Sequence, residues 1–432
     1  MKIPPVKGTR DFYPAEMAVR NYIIDGWKKV SIRNGFEEFD SPILEHLQMY
    51  TQKSGAEIVE QLFSFKDRGD RDLALIPEMT PSLARMVNQK INSLPKPIKW
   101  FSVPRLFRAE RPQKGRLREF FQWNIDIIGT DSIAADAEII FTTLDYLQYA
   151  GLSENDVVVK VSSRKLLAAF LKSLSIAEND LPGMYAMLDK KPKMPADTFA
   201  AVLNEKLSDK DRASKILAFM ETDSLEKIKK SLGVNQKIDD AINELLEHHR
   251  LLNEMGVGRF YKFDPGIVRG LAYYTGIVFE VHAVGGELRA ICGGGRYDNL
   301  LKDFGGPDIP AVGMGFGDCV LEILLREKGL LDKHIKKPEL DYFVVSDKSF
   351  EENIFFDLVA KLRRNGFITD FSYKTDNLSK QLKTASEKNA KKCIIISKEY
   401  SDSKQIIVKD MATGEQQTIP IDKFMDGLIN SK

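Results

Sequence analysis

Residues Pro104 to Gly129 have the sequence PRLFRAERPQKGRLREFFQWNIDIIG, which predicts a long β-hairpin. The first strand is apolar at Leu106 and Phe107, and a basic loop broken by proline and glycine separates it from a return strand over residues 119–128. Successive side chains of a strand point to opposite faces. One face of the return strand should carry Phe120, Gln122, Asn124 and Asp126, and the other Phe121, Trp123, Ile125 and Ile127.

Arginines lie at both ends of the hairpin loop. A guanidinium group offers a fixed fork of donors that fits phosphate, so Arg108, Arg116 and Arg118 are candidates to hold a polyphosphate above the sheet. The alternative for the loop is a solvated basic tip, since runs of charge usually mark solvated faces. The return strand favours the first interpretation, because an aromatic ring, an amide and a carboxylate on one face suit neither solvent nor a packed core. This face predicts a floor for a nucleotide and a small polar ligand.

The composition is that of an ordinary folded protein. The chain has 432 residues, of which 43% are hydrophobic and 29% charged, so we expect two or three domains and neither a disordered nor a membrane protein. No secretion signal or membrane-spanning segment is predicted. Three widely separated cysteines, Cys292, Cys319 and Cys393, argue against a zinc site and a disulfide framework, and for a cytoplasmic location. A net charge of +1 does not decide on an RNA partner, since local charge governs phosphate contact.

Four stretches carry a resemblance to a known family. FRAERPQKGRLREFFQ, residues 107–122, resembles motif 2 of class II aminoacyl-tRNA synthetases in the form found in histidyl-tRNA synthetases. KGTRDFYP at 7–14, VRGLAYYTGIVFE at 268–280 and GGGRYDNL at 293–300 resemble the same family. The resemblance implies an α+β fold, in which residues 1–330 form a class II catalytic core with an antiparallel sheet flanked by helices. It also implies a helical insertion at 164–255 and a C-terminal α/β anticodon-binding domain at 338–432.

The N-terminal segment predicts a helix followed by a strand. Ala15 to Arg33 has apolar residues at helical spacing, and Asn34-Gly35 ends the helix. The alternating stretch Phe36 to Ile43 predicts a strand, which Pro42 places at a sheet edge. This order resembles motif 1, which implies a homodimer interface. A helix packed on its own domain fits the residues equally well.

The next stretch predicts two short strands, at Leu62 to Lys66 and Leu73 to Ile76, and a helix that begins near Ser82. On sequence grounds the region of Thr80 fits a helix cap. The family resemblance implies instead that Glu78 and Thr80 bind the ammonium group of an amino-acid substrate.

Residues from Arg164 to about Met255 are rich in Leu, Lys, Glu and Ala at helical spacing, which predicts several short helices. In the family this insertion approaches the acceptor stem of the tRNA. His248 and His249 are neighbours in its last helix and point to different faces, which argues against a shared metal site.

Two further blocks follow the insertion. From the residues alone, Arg269 fits an arginine on the protein surface. The resemblance implies instead that Arg269 is a catalytic cation at the α-phosphate of ATP and that Tyr273 and Tyr274 belong to a histidine pocket. The glycines at 293–295 allow the backbone to pass close to a ligand, or simply make a turn.

Ala311 to Leu325 predicts a glycine-rich strand and then a helix, and resembles motif 3. Class II enzymes usually have an arginine here for the γ-phosphate of ATP, and this chain has Asp318-Cys319. We therefore expect either that another arginine, Arg116, meets the terminal phosphate or that Mg²⁺ carries more of its charge.

The C-terminal segment predicts a small α/β domain that resembles the anticodon-binding domain of class II synthetases. The predicted strands are Asp341 to Val345, Phe367 to Phe371 and Lys392 to Ile396, and the predicted helices are Phe350 to Arg364 and Leu378 to Asn389. Basic residues of this domain fit either RNA phosphate or solvated helix faces. They are Arg363, Arg364, Lys374, Lys380 and Lys383.

The resemblance implies a histidine–tRNA ligase. Such an enzyme activates histidine with ATP and Mg²⁺ to histidyl-adenylate, releases pyrophosphate, and transfers histidine to the 3′ end of tRNA(His); the family implies a homodimer. The chemistry needs charge neutralisation and in-line placement more than a base, because a carboxylate is already nucleophilic. For ATP, the resemblance implies that Arg108 and Arg269 contact the α-phosphate, Phe120 stacks on adenine, Glu110 orients the nucleotide and Arg116 contacts the β- and γ-phosphates. For histidine, it implies that Glu78, Thr80 and Gln122 bind the ammonium group and that Asp126 and Tyr274 bind the imidazole.

Three other functions are open from the sequence. A synthetase-like regulatory subunit of ATP phosphoribosyltransferase shares the core, and the motif 3 substitution at Asp318 is the only feature that favours it. A pure RNA-binding module does not explain Glu78, Gln122 and Asp126 in one pocket. A class II synthetase for another amino acid is disfavoured by the paired tyrosines and the GGGRYDNL block.

Overall fold

Within the described residues, a nine-stranded sheet carries the hairpin that the sequence predicts. The structure is a computed structural model and describes residues 3–51, 59–232, 235–269, 273–286, 288–335, 339–347, 352–373, 377–397 and 403–429. The strands of the sheet are β1 (Glu37–Glu38), β5 (Ile98–Ser102), β6 (Arg105–Phe107), β7 (Glu119–Ile128), β8 (Val157–Ser163), β9 (Tyr261–Phe263), β10 (Ile277–Ala283), β11 (Cys292–Arg296) and β12 (Ala311–Gly317). Their order is β1-β5-β7-β12-β11-β10-β8-β9, and β6 pairs with β7 outside this path.

Most neighbouring strands of this sheet run antiparallel, including β7 with β12, β12 with β11 and β11 with β10. A separate small sheet contains β2 (Leu44–His46), β3 (Ser64–Lys66) and β4 (Asp72–Leu75). The helices that the structure describes in this part of the chain are α1 (Pro14–Arg33), α2 (Gln48–Thr51), α3 (Thr80–Lys90), α4 (Ile133–Tyr149), α5 (Arg164–Ser173), α6 (Leu181–Leu188), α7 (Ala196–Leu207), α8 (Lys210–Glu221), α9 (Leu225–Leu232), α10 (Gln236–Glu254), α11 (Leu300–Asp303), α12 (Asp318–Glu327) and α13 (Leu331–His334). The predicted antiparallel sheet flanked by helices is confirmed.

The two faces of β7 differ as predicted. Trp123 packs against Trp27 of α1, Tyr146 of α4 and Phe316 of β12, with ring centroids 6.2, 5.5 and 6.0 Å apart. Large aromatic side chains contribute much of the apolar area that a core removes from water. The helices therefore cover one face of the sheet and leave the opposite face, which carries Asp126, available to line a cavity.

The N-terminal strand is shorter than predicted. Only Glu37–Glu38 pair in the sheet, rather than Phe36 to Ile43. The partner strand β5 ends at Ser102, one residue past the position opposite Glu38, so the ladder stops there. The cap predicted near Thr80 is also wrong, because Met79 occupies the N-cap position and no side chain caps α3.

The glycines at 293–295 lie within the buried strand β11 and do not form a turn. Their lack of a side chain allows a close approach of the neighbouring strand, since a Cβ atom on Gly294 would lie 2.2 Å from the carbonyl oxygen of Gly313. The predicted alternative, a backbone that passes close to other atoms, is the one observed.

Arg296 ties strand β11 to helix α4. Its guanidinium forms an ion pair with Asp136, and the two side chains are 4% and 1% exposed. It also donates to the carbonyl oxygens of Thr130 and Ser132, each at 3.1 Å. Burial raises the pKa of Asp136 to about 6, although the Arg296 charge acts in the opposite direction. Part of the GGGRYDNL block is therefore structural.

Arg296→Met is expected to lower the free energy of unfolding by about 3–5 kcal/mol, because Asp136 would remain buried without its partner. Urea denaturation measures this change. The control is Lys302→Met, whose ion pair with Asp308 is 60% and 63% exposed, and which should leave the free energy of unfolding close to that of the parent chain. Equal effects of the two substitutions would contradict the structural role of Arg296.

The chain divides into two units, residues 1–335 and 336–432, and the second has its own sheet. Its described strands are β13 (Leu340–Ser346), β14 (Thr369–Phe371), β15 (Ala390–Ile396), β16 (Gln405–Asp410) and β17 (Gln416–Pro420), and its helices are α14 (Glu352–Arg364), α15 (Leu378–Glu387) and α16 (Ile421–Ile429). The predicted α/β pattern is confirmed, while β16, β17 and α16 were not predicted. Lys374 lies outside the described residues. Among the described residues, no helix has the length and apolar character needed to cross a lipid bilayer.

Candidate active site

The open face of β7 lines a cavity of about 630 Å³. The residues to which the family resemblance assigns a role all lie on its wall, namely Glu78, Thr80, Arg108, Glu110, Arg116, Phe120, Gln122, Asp126, Arg269, Tyr273 and Tyr274. Arg118, the third loop arginine predicted from the bare residues, is not on this wall. It donates from Nε to the main-chain oxygen of Glu110 at 2.9 Å, so it supports the loop and does not face the cavity.

Separate parts of the chain supply these residues. The hairpin brings Arg108 to Asp126, the turn between β4 and α3 brings Glu78, and the segment before β10 brings Arg269. Residues 270–272 of that last segment lie outside the described residues. The predicted groups meet only because β7, β12, β11 and β10 are consecutive in the sheet.

Arg269 is held in an unusual backbone conformation. Its φ of +63° lies in the left-handed region, which costs a non-glycine residue of order 1–3 kcal/mol. Its carbonyl oxygen accepts a hydrogen bond from Arg164 Nη2 at 2.9 Å, and its Nη1 lies 2.5 Å from Glu280 Oε1. Burial lowers the pKa of Arg269, but the neighbouring Glu280 outweighs it and raises the pKa. The guanidinium is therefore charged and fixed from two directions.

Glu280 is shared between Arg269 and His282. Its second oxygen lies 2.9 Å from His282 Nε2. Burial raises the pKa of Glu280, but the bonds from His282 and Arg269 reverse this and hold the pKa at about 2. The carboxylate is ionised at neutral pH, so it can orient Arg269 throughout a reaction.

Two arginines of the hairpin lie on the same wall. Arg108 donates from Nε to the carbonyl oxygen of Pro77 at 2.9 Å, and its guanidinium lies 5.4 Å from the ring centroid of Phe120. Arg116 forms an ion pair with Glu110. This part of the cavity has the guanidinium groups and the aromatic surface that a nucleotide triphosphate requires.

Asp126 marks a different part of the cavity. It is buried, and its Oδ1 accepts a hydrogen bond from the Tyr297 hydroxyl. Burial raises the pKa of Asp126 to about 7, while the bond from Tyr297 acts in the opposite direction. Nearby, the Tyr273 hydroxyl donates to Glu78 Oε2 at 3.4 Å. Buried carboxylates beside phenols form a polar pocket that can select a small ligand by its hydrogen bonds.

Tyr297 was missed by sequence reasoning. The GGGRYDNL block was noted for its resemblance and its glycines, and its tyrosine was given no role. Tyr274, which was predicted to act with Asp126, is buried next to Arg269, whose guanidinium lies 6.0 Å from the Tyr274 ring centroid. The phenol in hydrogen-bond contact with Asp126 is therefore that of Tyr297.

Glycines of β12 make room for this pocket. A Cβ atom on Gly313 would lie 2.0 Å from Asp126 Oδ1. Gly313→Ala should therefore displace Asp126 and weaken binding of histidine, the ligand that the sequence resemblance implies, by about 100-fold or more, with overpacking that lowers the free energy of unfolding by about 1–3 kcal/mol. Isothermal titration with histidine and urea denaturation measure the two effects.

Gly317→Ala is the matched control, because a Cβ atom on this glycine of the same strand would have no neighbour within 4 Å. It should leave histidine affinity and unfolding free energy close to those of the parent chain. A Gly313→Ala protein that binds histidine normally would contradict the place assigned to Asp126.

The motif 3 position is occupied by a structural carboxylate. Asp318 Oδ2 lies 2.6 Å from Arg10 Nη2, and its Oδ1 accepts the backbone N–H of Phe121 at 3.0 Å. Its charge is therefore neutralised within the protein, and the cavity is lined at this point by Cys319. The Asp318-Cys319 pair provides no cation for a phosphate.

The histidines of α10 do not form a metal site. His248 is buried, and the His249 ring stacks on Tyr261 with centroids 4.3 Å apart. Over the ranges that the structure describes, no group of three or more histidine, cysteine or acidic side chains is placed to hold a metal ion.

Comparison with known proteins decides the family. A family model for histidyl-tRNA synthetase matches residues 8–317. This chain belongs to the histidyl-tRNA synthetase family. A model for the anticodon-binding domain matches residues 343–431 of the same chain.

Relatives of the histidyl-tRNA synthetase family match this chain over most of its length. It is 39% identical to the chloroplastic/mitochondrial histidine–tRNA ligase of Arabidopsis thaliana, over 96% of this chain and 84% of the relative. It is 38% identical to the histidine–tRNA ligase of Opitutus terrae, over 96% and 95%. Its fold is similar to that of apo S. aureus histidyl-tRNA synthetase, with a TM-score of 0.74, 26% identity and 99% of both chains covered.

Proposed function

We propose that this chain is a histidine–tRNA ligase, which activates histidine with ATP and transfers it to tRNA(His). One observation carries the proposal beyond family membership. A single cavity contains Arg108 and Arg269 together with the buried Asp126–Tyr297 pair. The arginines suit a nucleotide and the carboxylate suits an imidazole, so the cavity fits both substrates of the activation step.

In the activation step, the histidine carboxylate oxygen forms a bond to the α-phosphorus of ATP. The bond from that phosphorus to the bridging oxygen of the β-phosphate breaks, and pyrophosphate leaves. Arg108 and Arg269 are proposed to neutralise the charge that develops on the α-phosphate, where fixed donors lower the barrier. Glu280 and the strained main chain of Arg269 hold this cation in place.

The nucleotide is proposed to lie along the hairpin. Phe120 stacks on adenine, Glu110 orients the nucleotide, and Arg116 meets the far phosphates. Arg116 is already paired with Glu110, so a bound phosphate competes with that carboxylate for the guanidinium.

The amino acid is proposed to lie between two polar groups of the pocket. Glu78, Thr80 and Gln122 hold its ammonium group, and the Tyr273 hydroxyl orients Glu78. Asp126 accepts one N–H of the imidazole, Tyr274 meets the other nitrogen, and Tyr297 positions Asp126. A site built on buried hydrogen bonds rejects side chains that lack these donors and acceptors.

Mg²⁺ is proposed to enter with ATP. This ion usually binds phosphates together with one or two carboxylates and keeps several waters, so it needs no cage of protein ligands. Glu110 is a carboxylate on the cavity wall and would fit this requirement once a phosphate takes Arg116 from it. When bound, the ion supplies positive charge to the phosphates.

The transfer step and the domain roles are proposals as well. The 3′-terminal ribose hydroxyl of tRNA attacks the carbonyl carbon of histidyl-adenylate, and AMP leaves. We assign catalysis to residues 1–330, with the 164–255 insertion near the acceptor stem, and anticodon binding to 338–432. The division at residue 335 and the family models that match 8–317 and 343–431 support these assignments. The cytoplasmic location remains a prediction.

A homodimer is proposed through the N-terminal helix and strand. This segment exposes several large apolar side chains, which a partner subunit would cover. They are Tyr13, Ile32, Ile43 and Leu44. Light scattering on the purified chain should give twice the monomer mass, and a monomer at micromolar concentration would contradict the proposal.

The test of function is ATP–pyrophosphate exchange with each of the twenty amino acids, followed by charging of tRNA(His). Exchange should depend on histidine alone. Exchange with no amino acid would contradict a ligase and favour the regulatory-subunit alternative. Exchange with a different amino acid would contradict the role of Asp126.

A further inference from the structure

Arg289 is a further arginine on the cavity wall, and the function proposed above gives it no role. Its side chain is exposed, and it lies three residues before β11 in the segment that joins β10 to β11. Leu288 and Ile291, on either side of it, pack into the hydrophobic core. The backbone around Arg289 is therefore anchored, although the side chain itself faces solvent in the cavity.

The sheet register shows which end of the strands lies near Arg289. Strands β11 and β12 are antiparallel, with Cys292 opposite Phe316 and Gly293 opposite Gly315. Ile291 donates its backbone N–H to the carbonyl oxygen of Val281 at 2.8 Å, so the segment before β11 is held against β10. Because β11 begins where β12 ends, the segment that carries Arg289 and the start of α12 lie at the same end of these two strands.

Arg289 and the residue at the motif 3 position also share the cavity. A Cβ atom on Gly293 would lie 2.8 Å from Arg269 Nη1, so β11 passes directly beside the cavity. Arg289 and Cys319 both lie on the wall of that cavity. Arg289 is therefore a cation on the cavity wall at the end of the sheet where the motif 3 position carries a cysteine.

The charges in the cavity point to the same residue. Arg269 is paired with Glu280, and Arg116 with Glu110. Within the part of the chain that the structure describes, no carboxylate lies in ion-pair contact with Arg289. A triphosphate carries several negative charges, and a guanidinium without a carboxylate partner can bind a phosphate without first giving up an ion pair.

We propose that Arg289 binds the terminal phosphate of ATP, from the segment that leads into β11, the strand next to the one that carries motif 3. The inference rests on the proposed function, because it takes ATP as the ligand of the cavity. It adds to the role of Arg116 and does not replace it.

The test compares nucleotides that differ in their phosphates. Arg289→Gln should weaken ATP binding roughly 10- to 100-fold, the range expected for one lost charge-assisted hydrogen-bonding group. Its affinity for AMP and for a non-hydrolysable histidyl-adenylate analogue should stay within about 2-fold of the parent chain. Isothermal titration measures all three, and Arg289→Lys should recover part of the ATP affinity because it keeps the charge but not the fork.

Arg68→Gln is the matched control, since Arg68 is also an exposed arginine but lies at the turn between β3 and β4 and away from the cavity wall. Its ATP affinity should equal that of the parent chain. Unchanged ATP binding by Arg289→Gln, or equal weakening of ATP, AMP and the adenylate analogue, would overturn the inference.

The inference and the proposed function can fail separately. If the parent chain shows no histidine-dependent exchange, the ligase proposal fails. If it shows exchange and Arg289→Gln binds ATP normally, only the role of Arg289 fails.

Discussion

Asp126→Ala is expected to lower kcat/KM for histidine by about 10⁴-fold, while the KM for ATP changes by less than a few-fold. The carboxylate is buried at the floor of the cavity and bonded to Tyr297, so under the proposed function its loss should leave an imidazole N–H without its acceptor in a buried pocket. Sites that bind polar groups through buried hydrogen bonds discriminate by this order of magnitude. Steady-state pyrophosphate exchange at varied histidine and varied ATP separates the two effects.

The control for Asp126→Ala is Asp308→Ala, which removes an exposed carboxylate from an ion pair with Lys302. It should leave both KM values unchanged. A rise in the KM for ATP as large as that for histidine would show that Asp126 acts on the whole site and does not read the imidazole. Unfolding by urea must show that the Asp126→Ala protein is folded at the assay temperature.

The acidity of Asp126 gives a separate, pH-dependent prediction. Burial raises its pKa to about 7, so the free enzyme holds a protonated carboxyl below that pH and a carboxylate above it. The carboxylate accepts an imidazole N–H more strongly than the protonated carboxyl does, so kcat/KM for histidine should rise as pH increases towards 7. The imidazole of the free histidine substrate has a pKa of about 6.5, whichever variant is assayed. The readout is therefore the difference between the pH profiles of kcat/KM for the parent chain and the variants.

Tyr297→Phe tests the assignment of that pH dependence. The bond from Tyr297 lowers the pKa of Asp126, so its removal should move the rising limb of kcat/KM to higher pH. Asp126→Asn should remove the part of the rise in kcat/KM with pH that comes from the enzyme and not from the substrate. Identical profiles for the parent chain and Tyr297→Phe would contradict the link between the two residues.

Arg269→Gln is expected to lower kcat for pyrophosphate exchange by about 10²- to 10³-fold, with the KM for histidine changed by less than a few-fold. A fixed cation at the α-phosphate acts mainly on the charge that develops in the transition state, and removal of one such donor has this effect in other enzymes. Arg269→Lys should recover little, because an ammonium group lacks the planar fork that pairs with Glu280 and phosphate together.

Arg326→Gln is the control for the loss of an arginine, since its ion pair with Glu322 lies on the exposed side of α12. It should leave kcat unchanged. If Arg269→Gln raised the KM for histidine and left kcat intact, Arg269 would be a binding residue of the amino-acid pocket and not a group at the reacting phosphate.

The hairpin shows how much of the structure can be predicted from local sequence pattern. The alternation along residues 119–128 identified the face that carries Phe120, Gln122 and Asp126, because the pleat of a strand fixes side-chain direction over a few residues. Helix α1 was predicted to within one residue, from Ala15 against the observed Pro14. The same reasoning missed β16 and β17, and it placed a strand over Phe36 to Ile43 where only two residues pair.

The missed contacts are long-range. Tyr297 meets Asp126 although 171 positions separate them, and Arg296 meets Asp136 across 160. Nothing local to Tyr297 indicates a partner, because the contact exists only when β11 and β7 flank β12 in the sheet. Family resemblance identified the block that contains both residues but not which of its side chains faces the cavity.

The sequence by itself determined most of the helices and strands, the polar face of the hairpin and the family, and it predicted a set of side chains for a nucleotide and an amino acid. These follow from local periodicity and from short motifs, which act over a few residues. Only the tertiary structure decided that Tyr297 bonds to Asp126, that Arg10 neutralises Asp318 and that Arg289 and Cys319 lie on one cavity wall. The order and register of strands in a sheet are set by packing between distant segments, and side chains on neighbouring strands meet only after that packing is in place.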